Sequence, residues 1–334
     1  MKGMILAGGL STRLYPLTLE LPKPLVPVLD RPVVGHVIEY VKAHGIDDLV
    51  INVHYFPQAV RGYADDGSKW GVRIEYLHET QLMGSAGAVR QVADRFAGTF
   101  VVIGCDDVTD IDLAAAVDFH RERKAEATIV LVEVADVSQY GAVIVDDSGR
   151  ILEFQEKPAK GTERSNLANT GVYIFEPALL RRIPPKTFYD FGKQVFPDML
   201  AAGGAFYGMR QQSYWCDIGT PSEYRRVHRD ALQGRIKLHL REGATLSDSV
   251  LLGPGASVAP SARVEGPTCI GAGSTVDDGA HVSSSILWND VKVGADARVE
   301  DVVFADRVVV EKGASVKGGE YGKSTRIPAK SATA

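Results

Sequence analysis

The sequence predicts an α/β fold over residues 1–235, followed by a parallel β-helix over residues 240–325. Three observations support this prediction. Short apolar runs alternate with helix-like patterns at first, which is typical of a mostly parallel sheet covered by helices on both faces. Near residue 127 the alternation gives way to closely spaced strand patterns. After residue 235 an apolar residue recurs every six positions, which indicates stacked β-helix coils.

Length and composition describe an ordinary soluble chain. It has 334 residues, of which 45% are hydrophobic and 24% charged, with a formal net charge of −5, and this length favours two domains. The mild acidity argues against a nucleic-acid partner. We expect no membrane segment and no signal peptide, because no apolar stretch is long enough for a span and the first residues have too short an apolar core. Three cysteines do not suit a disulfide framework and indicate a cytoplasmic location.

The first four strands are predicted at KGMILA, DLVINVH, VRIEYLHE and TFVVIGCD. The helix patterns between and after them are VVGHVIEYVKAHG, SAGAVRQVADRF with Ser85 as its N-cap, and DLAAAVDFHRERKA. Ligands of such sheets bind outside the carboxyl ends of the strands. The loop after the first strand and Asp106 after the fourth both lie at such ends, so we expect a binding site there.

From residue 127 the strand patterns follow one another closely. ATIVLVEV precedes a hairpin in GAVIVDDSGRILEFQEKP, with its turn at residues 147–149. NTGVYIFEPALL and AFYGMRQQSYWCDIG are further strands. We expect all of these to form a lobe over the mouth of the sheet. A helix is then predicted to begin at Thr220 and to end at Gly234.

A six-residue repeat follows this helix. Its apolar leading residues are Leu240, Leu246, Leu252, Val258, Val264, Ile270, Val276 and Val282, and the mostly small residues four positions later are Ala244, Val250, Ala256, Ala262, Thr268, Ser274, Ala280 and Ile286. We expect the leading residues to stack inward and the small ones to fit the corners. Near Trp288 the period shifts by one, since Val293 and Val299 resume it from a new origin, which predicts a local irregularity such as a bulge. The repeat is interpreted as a structural or assembly module.

The loop after the first strand carries two cations. Gly8 and Gly9 lack a Cβ, so the backbone can approach a ligand closely, and N–H groups of such turns bind anions. Arg13 offers a planar fork to phosphate oxygens, and Lys23 is a compact charge between two prolines. Neither a Walker loop nor G-x-G-x-x-G is present. A negatively charged ligand is predicted, and an ordinary tight turn is the alternative for the glycines alone.

Two aspartates follow apolar segments, Asp106 after TFVVIGC and Asp217 after SYWC. Magnesium prefers oxygen ligands, usually one or two carboxylates together with substrate phosphates. Each aspartate alone could instead be a cap or loop residue, and Asp107 could share or replace the role of Asp106.

A second polar group lies at the ends of two predicted strands. Glu156 and Lys157 close a strand in FQEKP, and Asn169 opens another in NTG. A carboxylate, an ammonium and an amide near one cleft suit a ligand with hydroxyls and a phosphate. For each residue alone, a surface salt bridge or hydrogen bond is the simpler interpretation.

Five motifs, in order along residues 1–235, resemble those of the sugar-1-phosphate nucleotidylyltransferases: GGLSTRLYPLT…PKPL, GCDDVTDID, EKP, NTGVYIF and WCDIGTPSEY. The resemblance implies a Rossmann-like catalytic domain and, for the repeat, the left-handed hexapeptide β-helix that several branches carry. ETQLMGSAGAV and SSILWNDVKVG are most similar to the mannose-1-phosphate guanylyltransferase branch. The implied reaction transfers a nucleoside monophosphate from a triphosphate, most closely GTP, to a sugar 1-phosphate, most closely mannose 1-phosphate, and releases pyrophosphate.

The resemblance also implies residue roles. Arg13 would hold the departing pyrophosphate and Lys23 the α-phosphate, while Asp106 and Asp217 would bind Mg²⁺, the one cofactor expected. The residues implied for the nucleotide are Leu6, Ala7, Gly8, Gly9, Gln81 and Gly84. Those implied for the sugar phosphate are Tyr140, Gly141, Glu156, Lys157 and Asn169.

One departure and three alternatives accompany this interpretation. Ser11 replaces a glycine usual in the family, so its turn is expected to avoid glycine-only backbone angles. Its hydroxyl could donate to a phosphate or cap a local turn, and we expect the cap. The same reaction could use dTTP or UTP with glucose 1-phosphate. A non-catalytic regulatory subunit is a second alternative, although all the predicted charged ligands are present. A dinucleotide-dependent oxidoreductase lacks its glycine fingerprint here. The expected partners are the two substrates and further copies of the chain, with no membrane.

Overall fold

The computed structural model describes residues 1–329. The chain divides into two compact units, the first formed by residues 1–10 and 37–215, the second by residues 11–36 and the chain from residue 216 onward. The loop that follows the first strand therefore belongs, beyond Leu10, to the second unit. Among the described residues, no helix has the length and apolar character that crossing a membrane requires.

Nine strands form the sheet of the first unit. In chain order they are Lys2–Leu6, Asp48–Val53, Arg73–His78, Phe100–Gly104, Ala127–Glu133, Gly141–Val145, Ile151–Glu156, Leu167–Phe175 and Phe206–Arg210. The first four are parallel and lie side by side in the order third, second, first, fourth. Their carboxyl ends therefore meet at one edge of the sheet, where the loops after them lie close together.

The five later strands extend the same sheet. The eighth strand pairs antiparallel with the fourth and the fifth, and the ninth runs parallel to the fifth. The sixth and seventh form the predicted hairpin, turning at residues 147–149. The expectation of a separate lobe over the mouth of the sheet is wrong, because antiparallel strands can extend a parallel sheet and periodicity does not reveal which strands pair.

Six α-helices lie in the described residues: Val33–Ala43, Pro57–Ala64, Gly84–Gln91, Leu113–Glu122, Phe196–Ala201 and Pro221–Leu232. The last of them was predicted to run from Thr220 to Gly234 and is slightly shorter, because Thr220 is its N-cap, with its side chain accepting from the N–H of Glu223 at 3.3 Å. Ser85 is not an N-cap, because the helix already begins at Gly84. The Ser85 hydroxyl instead donates to Asp190 Oδ2 at 3.2 Å.

Fully buried aromatic rings stabilise the first unit near the fourth and eighth strands. They are Phe100, Phe175, Phe191, Phe196 and Phe206. Neighbouring centroids lie 4.9 to 5.9 Å apart, for example between Phe175 and Phe191 and between Phe100 and Phe175. Burying each such ring stabilises the fold by about 1.5–3 kcal/mol. The strands that carry the candidate site are thus held by a packed core.

Three sheets of six, five and four strands form the repeat region of the second unit. Their strands run from Thr245–Ser247 to Arg326–Ile327. All pairs are parallel except Thr245–Ser247 with Val250–Leu252, which is antiparallel. The predicted inward stacking of leading residues is confirmed from Ile270 onward, since they form one buried cluster.

Coil length explains the shifted period near Trp288. Val264 pairs with Val282, a step of 18 residues, whereas Val282 pairs with Val299, a step of 17. The step from Val299 to its partner Val316 is again 17 residues. The prediction of one local irregularity is therefore wrong, because one side of each later coil is regularly a residue shorter.

Candidate active site

The carboxyl ends of the parallel strands bring the end of the first strand, and the first residues of the loop after it, close to Asp106. Leu6, the last residue of the first strand, lies opposite Asn52 and Gly104 in the neighbouring strands. Cys105 donates its backbone N–H to the carbonyl of Leu6 at 3.0 Å. Half-buried Asp106 therefore follows directly on a residue anchored to the end of the first strand. Of the predicted site residues in the first unit, this edge brings together Leu6, Ala7, Gly8 and Asp106.

Asp107 supports the fold beside this edge. Its side chain is 6% exposed, with Oδ1 accepting from Trp215 Nε1 at 3.1 Å and Oδ2 accepting from the backbone N–H of Gly104 at 3.1 Å. Both carboxylate oxygens thus serve internal hydrogen bonds. This geometry favours Asp106 over Asp107 as the ligand-binding carboxylate.

Two buried polar residues missed by the sequence analysis connect the predicted nucleotide residues. Asn52 Oδ1 accepts from the N–H of Ala7 at 2.8 Å, and Asn52 Nδ2 donates to Glu79 Oε2 at 2.6 Å. Glu79 Oε1 accepts from the N–H of Met83 at 3.1 Å. The available signal was a polar residue near the end of each of two apolar strand patterns, DLVINVH and VRIEYLHE.

The glycines of the predicted nucleotide site have different reasons for being small. A Cβ on Gly8 would lie 2.7 Å from Asn52 Nδ2, and a Cβ on Gly84 would lie 2.5 Å from the carbonyl oxygen of Tyr189. Gly84 also has a φ of 75°, in the left-handed region that favours glycine. Gly9 is exposed and has open space where a Cβ would lie. Gln81, between these positions in sequence, is exposed.

The five residues predicted for the sugar phosphate converge in the first unit. Glu156 lies opposite Gly141 in the hairpin, and the N–H of Lys157 donates to the carbonyl of Tyr140 at 3.0 Å. A Cβ on Gly141 would lie 3.3 Å from Cβ of Asn169. The carboxylate of Glu156 and the amide of Asn169 therefore come from strands on either side of Gly141–Val145, and Lys157 directly follows the first of these strands.

Burial changes the pKa of the Glu156 carboxyl, and hydrogen bonds orient the Asn169 amide. Burial raises the pKa of Glu156, partly offset by the charge of neighbouring Lys157. The Asn169 side chain is oriented at both ends, since Nδ2 donates to Tyr173 Oη at 3.1 Å and Oδ1 accepts from the N–H of Gly171 at 3.0 Å. A Cβ on Gly171 would lie 3.2 Å from Asp107 Oδ2. The sugar-phosphate group is thus close to the segment that carries Asp106.

The second unit brings together the other three charged residues. Lys23 Nζ contacts Asp217 Oδ1 at 3.2 Å, with side chains 11% and 22% exposed. A Cβ on Gly219 would lie 2.8 Å from Arg13 Nη2 and 2.9 Å from Asp217 Oδ2. The guanidinium, the ammonium and the carboxylate thus surround one small residue.

Ser11 avoids the backbone angles open only to glycine, as expected, and adopts a left-handed conformation. Its φ of 55° and ψ of 37° lie in the left-handed region, which a non-glycine residue can adopt at some cost in energy. Its hydroxyl makes no capping bond to the turn Thr12–Leu14, so the expected local cap is wrong. Its carbonyl instead accepts from Thr18 Oγ1 at 2.9 Å.

Each of the two predicted carboxylate ligands, taken by itself, has the chemistry that suits a hard cation. No group of three or more His, Cys, Asp or Glu side chains within residues 1–329 is arranged to hold a metal ion. Asp106 and Asp217, both half-buried, offer the oxygen donors that Mg²⁺ prefers. Single carboxylates completed by phosphates and water would suit this ion better than a site built from protein alone.

Comparison with known proteins gives two family matches. Residues 2–234 match the nucleotidyl transferase family, and residues 267–332 match the GlmU-like C-terminal hexapeptide family. A UTP–glucose-1-phosphate uridylyltransferase of Synechocystis sp. is 34% identical over 93% of this chain and 89% of that protein. A mannose-1-phosphate guanylyltransferase of Mycobacterium tuberculosis is 33% identical over 89% of this chain and 82% of that protein.

A solved structure agrees with these matches. A protein from Bacillus anthracis, in complex with sucrose, superposes with a TM-score of 0.64 at 26% identity, covering 72% of this chain and 97% of that one. The predicted fold class, a Rossmann-like mostly parallel sheet followed by the parallel strands of a left-handed hexapeptide β-helix, is confirmed. The chain belongs to the nucleotidyl transferase family, with a hexapeptide-repeat C-terminal region.

Proposed function

We propose that this protein transfers a nucleoside monophosphate from a nucleoside triphosphate to a sugar 1-phosphate, giving a nucleotide sugar and pyrophosphate. The observation that carries the proposal is the convergence of Glu156, Lys157 and Asn169 beside the strand end that bears Asp106. Hydroxyl-binding groups, an ammonium and a metal-suited carboxylate fit the sugar 1-phosphate. The family match and both named relatives support the same reaction.

In this reaction the protein mainly positions the two substrates and neutralises the charge on their phosphates. A phosphate oxygen of the sugar 1-phosphate attacks the α-phosphorus in line, and the bond to pyrophosphate breaks. No general base is needed, because the attacking phosphate is already ionised. Lys157 would hold the sugar phosphate, Lys23 the α-phosphate and Arg13 the departing pyrophosphate.

Magnesium would neutralise charge on the reacting phosphates, with Asp106 and Asp217 as its proposed ligands. The ion pair between Lys23 and Asp217 supports this assignment, because each charge has a partner before substrate binds. A phosphate on Lys23 and a cation on Asp217 would replace that pair without leaving a half-buried charge uncompensated.

We propose GTP and mannose 1-phosphate as the specific substrates. The segment ETQLMGSAGAV carries the similarity to guanylyltransferases, and the Mycobacterium tuberculosis relative is named as one. UTP with glucose 1-phosphate is the second candidate, because the Synechocystis relative is named for that pair.

A substrate panel tests both levels of the proposal. GTP, UTP and dTTP are each incubated with mannose 1-phosphate or glucose 1-phosphate in Mg²⁺, and pyrophosphate release is measured. We expect the highest kcat/KM for GTP with mannose 1-phosphate. A preference for UTP with glucose 1-phosphate would replace the specific substrates and keep the reaction. No release from any pair would refute the reaction itself.

A further inference from the structure

Asn52 and Glu79 form a buried bridge between two loops of the first unit. Their side chains are 4% and 3% exposed. The bridge runs from the N–H of Ala7 to Asn52, from Asn52 to Glu79, and from Glu79 to the N–H of Met83, over distances of 2.8, 2.6 and 3.1 Å. The loop that begins at Ala7 is thereby tied to the loop that ends at Gly84.

The bridge works only in one pattern of donors and acceptors. The backbone N–H groups at its two ends can only donate, so both side chains must present an acceptor outward. One donor must then lie between the side chains. An amide at residue 52 and a carboxylate at residue 79 meet this requirement, because the amide supplies one acceptor and one donor and the carboxylate accepts on both oxygens.

We propose that Asn52 and Glu79 are positioning residues that fix the nucleoside triphosphate between these two loops. The proposal rests on the proposed function and on the nucleotide residues that the family resemblance implies: Leu6 and Gly8 at the end of the first strand and just after it, and Gln81 and Gly84 in the other loop. The bridge also limits the first loop directly, since a Cβ on Gly8 would lie 2.7 Å from Asn52 Nδ2. Buried hydrogen bonds hold both loops without contacting the reacting atoms.

The sugar-phosphate residues provide an internal comparison. Glu156, Lys157 and Asn169 lie on later strands and take no part in the bridge. A broken bridge should therefore weaken nucleotide binding while leaving the KM for sugar phosphate near its normal value. Loss of general stability alone would not separate the two substrates in this way.

The test exchanges the amide and the carboxylate between positions 52 and 79, singly and together. E79Q leaves one oxygen where two acceptors are needed, and N52D places two carboxylates where the amide and the acid now lie 2.6 Å apart. In N52D/E79Q, the new carboxylate at position 52 would accept from the N–H of Ala7 and from the new amide at position 79. The oxygen of that amide would accept from the N–H of Met83, so all three bonds are restored and only the central one reverses its direction. Q91A is the matched control, because Gln91 Nε2 only touches Glu79 Oε1 at 3.4 Å and joins no second loop.

Nucleotide affinity by calorimetry, KM for each substrate and Tm are measured for all four variants. We expect about a tenfold weaker nucleotide affinity in E79Q and in N52D, from loss of one buried hydrogen bond to a charged group. The double variant should return to within about threefold of wild type, and Q91A should change affinity less than about twofold.

Each outcome decides the proposal. Should either single variant fail to fold, the double variant carries the test, since restored folding with normal nucleotide affinity supports the bridge. An unchanged nucleotide affinity in folded E79Q, or a double variant no better than the single ones, would overturn it. A wild-type protein that binds no nucleoside triphosphate would instead refute the proposed function, and that result needs no variant.

Discussion

Lys23 and Asp217, two charged residues of the candidate site, form an ion pair with each other. Their side chains are largely buried and lie 3.2 Å apart. Removing one charge of a buried pair leaves the other uncompensated, which costs more than the pair itself contributes. Variants at these positions therefore need shape-preserving substitutions and a measurement of folding alongside activity.

Asp217→Asn tests the proposed metal ligand. We expect kcat to fall about a hundredfold, because an amide keeps the shape but loses the charge needed beside polyphosphate; the size follows from roughly 3 kcal/mol for one electrostatic contact in the transition state. Pyrophosphate release measures kcat, and circular dichroism checks the fold. D248N, at an exposed turn of the repeat region, is the control. A folded D217N with near-normal kcat would remove Asp217 from the mechanism.

Glu156→Gln tests the consequence of the raised pKa. Burial favours the protonated carboxyl in the folded protein, so its contribution to stability is present below the ordinary Glu pKa of about 4.3 and is lost as pH rises through the higher folded value. Glutamine has no such loss. The Tm of E156Q minus the Tm of wild type should therefore increase as the pH rises from about 4 to 7. A difference in Tm that stays constant over this range would contradict the assigned shift.

At the residue scale, the sequence indicated the charged ligand residues better than the buried polar residues that hold the neighbouring loops. Arg13, Lys23 and Asp217 stand in recognisable motifs, and the structure brings these three together. Asn52 and Glu79 stand in no motif, because their role depends on the pairing of two loops rather than on local spacing. The conformation of Ser11 was equally out of reach, since a left-handed φ in a serine follows from the surrounding turn.

At the element scale, Gly84 shows how one backbone position fixes the start of a helix. The helix Gly84–Gln91 begins against the backbone of Tyr189, whose carbonyl accepts from the N–H groups of Ala86 and Gly87 at 3.0 and 2.9 Å. Two donors of the first helical turn are satisfied in this way, without a side-chain cap. Close packing of two backbones explains why the sequence-based choice of Ser85 as N-cap was wrong.

Gly84→Ala should disturb both stability and nucleotide binding. The added Cβ would meet the carbonyl oxygen of Tyr189 at 2.5 Å and would also occupy a φ of 75°, a strain of about 1–3 kcal/mol or more. We expect a lower Tm and a higher KM for the nucleoside triphosphate. G98A is the matched control, because Gly98 has open space around its Cβ position. Equal Tm values for G84A and G98A would contradict this account.

The repeat region shows what periodicity can and cannot predict. The six-residue spacing predicted the parallel coils and their inward residues, because stacking demands the same apolar lead on every side. Where one side loses a residue, the spacing alone could not distinguish a local bulge from a regular shorter side. The pairing of Val282 with Val299 and of Val299 with Val316 makes that distinction.

At the scale of the molecule, the second unit unites the repeat region with the segment that carries Lys23. Cys269 of the repeat region donates its Sγ–H to the carbonyl of Leu29 at 3.2 Å. Trp288 Nε1 donates to Tyr224 Oη at 2.9 Å, and that hydroxyl donates to the carbonyl of Pro27 at 2.6 Å. The repeat region thus supports the loop of a predicted phosphate ligand, a connection that no local pattern revealed.

Tyr224→Phe tests this support. The substitution removes a fully buried hydroxyl and leaves the Trp288 N–H and the Pro27 carbonyl without this partner. We expect a loss of about 1–3 kcal/mol in the free energy of unfolding, measured as a lower Tm. Y207F, which alters a half-buried ring packed on Phe119 in the first unit, is the control. A Tm for Y224F equal to that of Y207F would show that the hydrogen-bonded chain contributes little.

The central claim is that an oxygen of the sugar phosphate becomes bonded to the α-phosphorus of the nucleotide, and an isotope experiment tests it most directly. Mannose 1-phosphate carrying ¹⁸O in its free phosphate oxygens is incubated with unlabelled GTP, and both products are analysed by mass spectrometry. The account predicts that all of the label stays in the nucleotide sugar and none enters pyrophosphate. Label in pyrophosphate, or release of pyrophosphate without a labelled nucleotide sugar, would contradict it.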